Sequence, residues 1–130
     1  MPKNLIFLIA LIWTGTVAYL CLVQSNDLPR ISIPNFDKCV HTFFHFVFTF
    51  VWFLFFSKQL KIDSILKPLL YSLLFSFLFG VTIELIQQFE TTTRSGDVLD
   101  VVANLIGATL AVFAVILFNK YNILKIILKN

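Results

Sequence analysis

Charge is scarce in this chain. Asp, Glu, Lys and Arg make up 13% of its 130 residues, about half the usual share of a soluble domain. That shortage excludes an ordinary water-soluble fold, which needs a charged surface. The net charge of +3 is spread out, and no basic run marks a nucleic-acid partner. Cysteine is also scarce. Cys21 and Cys39 are too few for a disulfide framework, and their spacing matches no metal motif. They would pair only with Cα atoms roughly 4.4–6.8 Å apart, so two free thiols in apolar surroundings are expected. The four glycines form no phosphate-cradling loop, and no nucleophile elbow or Ser-centred triad occurs.

What is abundant is apolar. Hydrophobic residues make up 58% of the chain, 16 of them are Phe, and the mean hydropathy is +0.89. The excess is continuous rather than periodic, which signals membrane spans. The first run, about 5–23, is longer than a signal-peptide core and is followed by no small-residue cleavage site. It is expected to stay as a span. Pro29 and Pro34 break the polar linker that follows. Further spans are predicted at about 39–56, 68–88 and 98–118, with Pro68 in a first helical turn and Ser95 or Asp97 as a cap. The tail carries Lys120, Lys125 and Lys129 among apolar residues, and it extends the last span or lies on the membrane surface. The fold class predicted is all-α, an integral membrane bundle of four transmembrane helices in a single domain, 1–130.

Basic residues set the orientation. Lys3, Lys58, Lys61, Lys67, Lys120, Lys125 and Lys129 fall on one side, and Arg30, Lys38 and Arg94 on the other. Basic residues in short loops stay cytoplasmic. Both termini are therefore expected in the cytoplasm.

The remaining polar residues converge on the opposite end. Asp37, His41 and His45 recur every four residues on span two. Glu84, Gln87 and Gln88 sit at the outer end of span three, and Asp97, Asp100 and Asn104 at the outer start of span four. Ionisable groups in hydrocarbon are costly, so these faces should pack inward, helped by the small ridge Ala103, Gly107 and Ala111. Arg94 can pair with Asp97, Asp100 or Glu84. Locking the bundle would explain part of this set, but four acids, two His, an Arg and an Asn exceed what locking requires. His45, Trp13 and Trp52 read as packing residues, and Gln88 and Glu90 as interfacial ones.

His41 and His45 at i, i+4 offer half of a metal site, but the sequence shows no convincing third ligand. No bound metal and no cofactor are expected. Arg94 near helix N-terminal amides suits an anion such as a phosphate. The pocket candidates are Asp37, His41, Glu84, Gln87, Arg94, Asp97, Asp100 and Asn104.

The order Asp37-Lys38-x-x-His41, Glu84-x-x-Gln87, Arg94-x-x-Asp97-x-x-Asp100-x-x-x-Asn104-x-x-Gly107 resembles the VanZ-like family. The resemblance covers about residues 36–111. His45 departs from it, standing where an aromatic is expected. The resemblance implies a small polytopic membrane protein and, through the family's namesake, a link to glycopeptide resistance, chiefly to teicoplanin. Many members lie outside resistance clusters. The partners it brings forward are membrane lipids and a lipid-linked cell-wall component or glycopeptide. A small intramembrane enzyme, with Glu84 or Asp100 as base and Arg94 as anion clamp, is the alternative.

Overall fold

A computed structural model describes residues 1–23, 31–60, 64–92 and 95–129. Four long helices follow one another: α1 Lys3–Leu22, α2 Phe36–Leu60, α3 Leu66–Glu90 and α4 Val98–Lys120, with a short α5 at Ile123–Leu128. No strand occurs among the described residues. All four long helices are long and apolar enough to cross a membrane, since about 20 residues span roughly 30 Å of hydrocarbon.

The helices outrun the predicted spans because polar residues continue them. α2 begins before Asp37 and Lys38 and runs on through Ser57, Lys58 and Gln59. Asp97 caps α4, its Oδ1 accepting from the Leu99 N–H at 2.8 Å. The tail does not extend α4 unbroken. Asn122 adopts a left-handed conformation, which Asn tolerates better than most residues, and the chain turns there into α5.

α2 is the central element, packed against α1, α3 and α4. Large apolar side chains such as Leu8, Ile12, Leu70, Leu78, Ile106, Leu110 and Phe113 point outward, as a lipid-facing surface requires. Polar and small residues point inward. One interior cluster joins Ile6, Phe53, Leu54, Leu69, Val115 and Leu124. A second centres on Phe48 and Trp52, where Phe48 stacks on Phe79 with ring centroids 4.7 Å apart. Val17, Cys21 and Ile83 form a third. Without a hydrophobic force between helices in lipid, close packing and interhelical hydrogen bonds hold such a bundle.

The tightest seam joins α2 and α4. Ala103, Gly107 and Ala111 are buried along it, and Thr42 Oγ1 donates to the Ala103 carbonyl at 3.2 Å. A Cβ at Gly107 would collide with the Thr42 carbonyl. Only glycine permits this backbone approach. Both ends of the described chain meet at the far end of the bundle, where the Met1 amine donates to the carbonyls of Ile127 and Lys129. No disulfide joins Cys21, which is buried, to Cys39, which is exposed.

Candidate functional site

The polar residues gather where α2 and α4 begin and α3 ends. Lys38 sits at the centre of their charge. Its ammonium donates to Asp37 Oδ2 at 2.9 Å, to Asp97 Oδ2 at 2.6 Å and to Asp100 Oδ1. Below it, His41 Nδ1 pairs with Asn104 Oδ1 at 3.1 Å. With the Asn104 carbonyl oxygen as acceptor, Nδ1 is the donor in this pairing, and a neutral ring then keeps its lone pair on Nε2. Nε2 lies 3.7 Å from Asp100 Oδ2, and Nδ1 lies 3.9 Å from Glu84 Oε1.

Glu84 ties the loop after α3 to the site. Its Oε2 accepts from the Asp97 N–H at 3.0 Å. Its Oε1 is buried and has no hydrogen-bond partner among the described residues, nor has Asn104 Nδ2. Gln87 reaches the end of α1, where Nε2 donates to the Cys21 carbonyl at 2.6 Å. Burial of His41, Glu84, Gln87, Asp100 and Asn104 lies between 93% and 98%, their exposures running from 2% to 7%.

A cavity of about 220 Å³ opens beside this set, lined by Asp37, His41, Gln87, Ser95 and Asp100. Asp97 sits at the interface, outside the helices. The Lys38 ammonium holds its carboxyl below the ordinary value of 3.8, with the Leu99 N–H adding to the effect.

Seven of the eight pocket candidates are thus brought together: Asp37, His41, Glu84, Gln87, Asp97, Asp100 and Asn104. Arg94 lies outside the described residues. The sequence argument missed Lys38, which binds the acids that Arg94 was expected to serve. The signal was present, since Lys38 is the one described cation near that end. Ser95 was noted only as a cap, and it lines the cavity instead.

The two histidines part company. His45 Nδ1 pairs with Ser76 Oγ at 2.7 Å, on α3, and its ring tilts against Phe48 and Phe79. It is a packing residue away from the acids. Gln88 is exposed, and its Oε1 accepts from the Gly96 N–H at 3.0 Å. Gly80 lets α3 come close here. A Cβ there would lie 2.8 Å from Asn104 Nδ2 and 3.0 Å from His45 Cε1.

Residues 3–119 match the VanZ/LLP1 family. The chain belongs to that family. Uncharacterized protein C11E3.10 of Schizosaccharomyces pombe is 32% identical over 102 residues, which cover 78% of this chain and 60% of the relative. The chain therefore matches less than two thirds of that relative's length. No solved structure matches the chain. VanZ/LLP1 membership and four apolar helices together make it a multi-pass membrane protein.

Proposed function

We propose that this VanZ/LLP1 protein binds the polar head of an envelope or lipid-linked molecule at one membrane face, and so alters how that molecule is handled. The observation that carries the reading is the cleft of about 220 Å³ bordered by buried His41, Gln87 and Asp100. Ionisable groups held inside an apolar bundle with open space beside them mark a ligand site more often than a lock. Membrane lipids are the immediate partners, and a lipid-linked cell-wall component or glycopeptide is the specific one. In a bacterial inner membrane this activity would lower teicoplanin susceptibility. The yeast relative favours a lipid component common to many membranes over a drug as the native ligand.

The test uses gentle changes. Asp100→Asn and Glu84→Gln keep shape and remove charge. Overexpressed wild type should protect a Gram-positive host against teicoplanin; both variants should accumulate in the membrane at wild-type levels yet lose that protection. Normal abundance with intact protection would reduce the cluster to a structural lock.

One observation favours a second reading, a small intramembrane enzyme acting on a lipid-linked or phosphate-bearing substrate. Glu84 Oε1 is a buried carboxylate oxygen with no described hydrogen-bond partner, so it is free to accept a proton from a substrate within reach. Asp100 is the other candidate base, and Arg94 the clamp for the phosphate.

The orientation belongs to the same reading. Seven basic residues against three support cytoplasmic termini, and the meeting of Met1 with Ile127 supports a shared side. With Cys21 and Cys39 replaced, a cysteine at Thr92 should react with an impermeant thiol reagent in intact cells, and one at Ser64 should not. The opposite labelling would invert the topology.

A further inference from the structure

We propose that His41, Glu84 and Asp100 form a divalent-metal site that takes Zn²⁺. The three residues come from α2, α3 and α4, and all are buried. One ligand atom from each lies within 4.8 Å of the other two. Ligands of a tetrahedral zinc at about 2.0–2.2 Å stand roughly 3.4 Å apart. The gap of 3.7 Å between His41 Nε2 and Asp100 Oδ2 is close to that already, and carboxylate rotation closes the remainder.

Three independent features point to a cation. The first is the orientation of His41. Asn104 Oδ1 accepts from Nδ1, and it is the outer partner a metal-binding imidazole needs to present its Nε2 lone pair. The second is Glu84 Oε1, which is buried, has no described hydrogen-bond partner, and lies 3.9 Å from His41 Nδ1. Leaving a carboxylate oxygen buried without a partner is costly, and a metal removes that cost.

The third feature is charge. Asp37, Asp97 and Asp100 share the one Lys38 ammonium, and no described ion pair joins Lys38 to Glu84. Asp100 gives Oδ1 to Lys38 and keeps Oδ2 toward His41. A dication would therefore meet two carboxylates and a neutral imidazole without displacing the lysine. The site borders the cleft through His41 and Asp100, so a fourth position would face a ligand or water. This is the open arrangement of catalytic rather than structural zinc.

The inference rests on the reading of this cluster as a ligand site, and it gives that site a means to hold phosphate. Four carboxylates with one described ammonium repel an anion; a bound Zn²⁺ would attract it.

The experiment titrates the full chain, purified in detergent and stripped with a chelator, with Zn²⁺ and with Co²⁺. One ion should bind per chain, with a Co²⁺ absorption spectrum of four or five coordination and no sulfur band. His41→Ala, Glu84→Gln and Asp100→Asn should each weaken binding by about tenfold or more. Cys39→Ser and Glu90→Gln should leave it unchanged. Helical circular dichroism establishes that each variant is folded. Should the variants fail to fold, X-ray absorption on wild type decides, and an N/O shell containing a single imidazole is expected. Absence of stoichiometric binding, a sulfur ligand, or unchanged affinity in folded Glu84→Gln would overturn the site. Native mass spectrometry with phosphatidylglycerol, with and without chelator, separates the two readings. Zinc uptake without lipid uptake upholds the metal site and removes the lipid reading. Lipid uptake that persists with no metal bound upholds the lipid reading and overturns the role of the metal in holding phosphate.

Discussion

At the end of the bundle where α1 starts and α2 finishes, Ile6, Phe53, Leu54, Leu69, Val115 and Leu124 fill the interior with carbon. At the opposite end the same helices enclose Lys38, His41, Glu84, Asp100 and Asn104. Phe53 is fully buried, and an apolar side chain of similar volume could in principle replace it. Glu84 is nearly as buried, yet one of its oxygens lacks a described hydrogen-bond partner. Packing alone explains the first end. It does not explain the second, where apolar side chains would fill the space at less cost. The difference separates what holds the fold from what the fold is holding.

The largest expected effect is at the carbon end. Phe53→Ala should lose about 3 kcal/mol, at the low end for a buried Phe because lipid chains replace the solvent term. Unfolding in mixed micelles measures it. Zinc uptake by the folded fraction should be unchanged, and a loss of uptake would mean that the two ends are coupled.

Lys38→Met comes next. It leaves Asp37, Asp97 and Asp100 without their shared cation. Removing one partner of a fully buried set costs roughly 3–5 kcal/mol. The Lys38 side chain is 23% exposed, and water offsets part of the loss, so about 2 kcal/mol is expected. The same unfolding assay applies, and a loss above that of Phe53→Ala would reverse the ranking of the two ends.

The smallest effect is a pH dependence at Asp97. Its carboxyl titrates below the ordinary 3.8, chiefly because of Lys38. A depressed carboxylate contributes stability that is complete above its unfolded value and is lost as pH falls through the lower folded value. Wild type should therefore lose this increment below about pH 4. Asp97→Asn should show a flatter stability profile over that acid range and no change near neutrality. An equally steep acid loss in the variant would assign the effect to another group.

The fold was legible because lipid imposes long apolar runs, and four of them occur in sequence. The site was legible in outline because Asp100 and Asn104, or His41 and Asp37, stand a helical turn apart. What the spacing did not reveal was which neighbour each face meets. His41 and His45 share a face of α2, yet one reaches Asn104 on α4 and the other Ser76 on α3. The first of these contacts lies beside the seam where Gly107 lets α4 approach Thr42, a contact between residues far apart in the chain. Lys38 was underrated for the same reason. Its acids Asp97 and Asp100 are sequence-distant, and only the packed seam brings them within its reach.

The chain carries two tryptophans, and both fasten α1 to α2. The Trp13 indole donates to the Phe44 carbonyl, and the Trp52 indole to Thr14 Oγ1, each at 3.1 Å. Intrinsic fluorescence is thus chiefly a gauge of that seam, with Trp52 also set edge-on against Phe75 of α3. Its emission should shift when α1 leaves α2 and stay steady while the acids on α3 and α4 take up a ligand. A titration followed by that light alone would report silence at an occupied site.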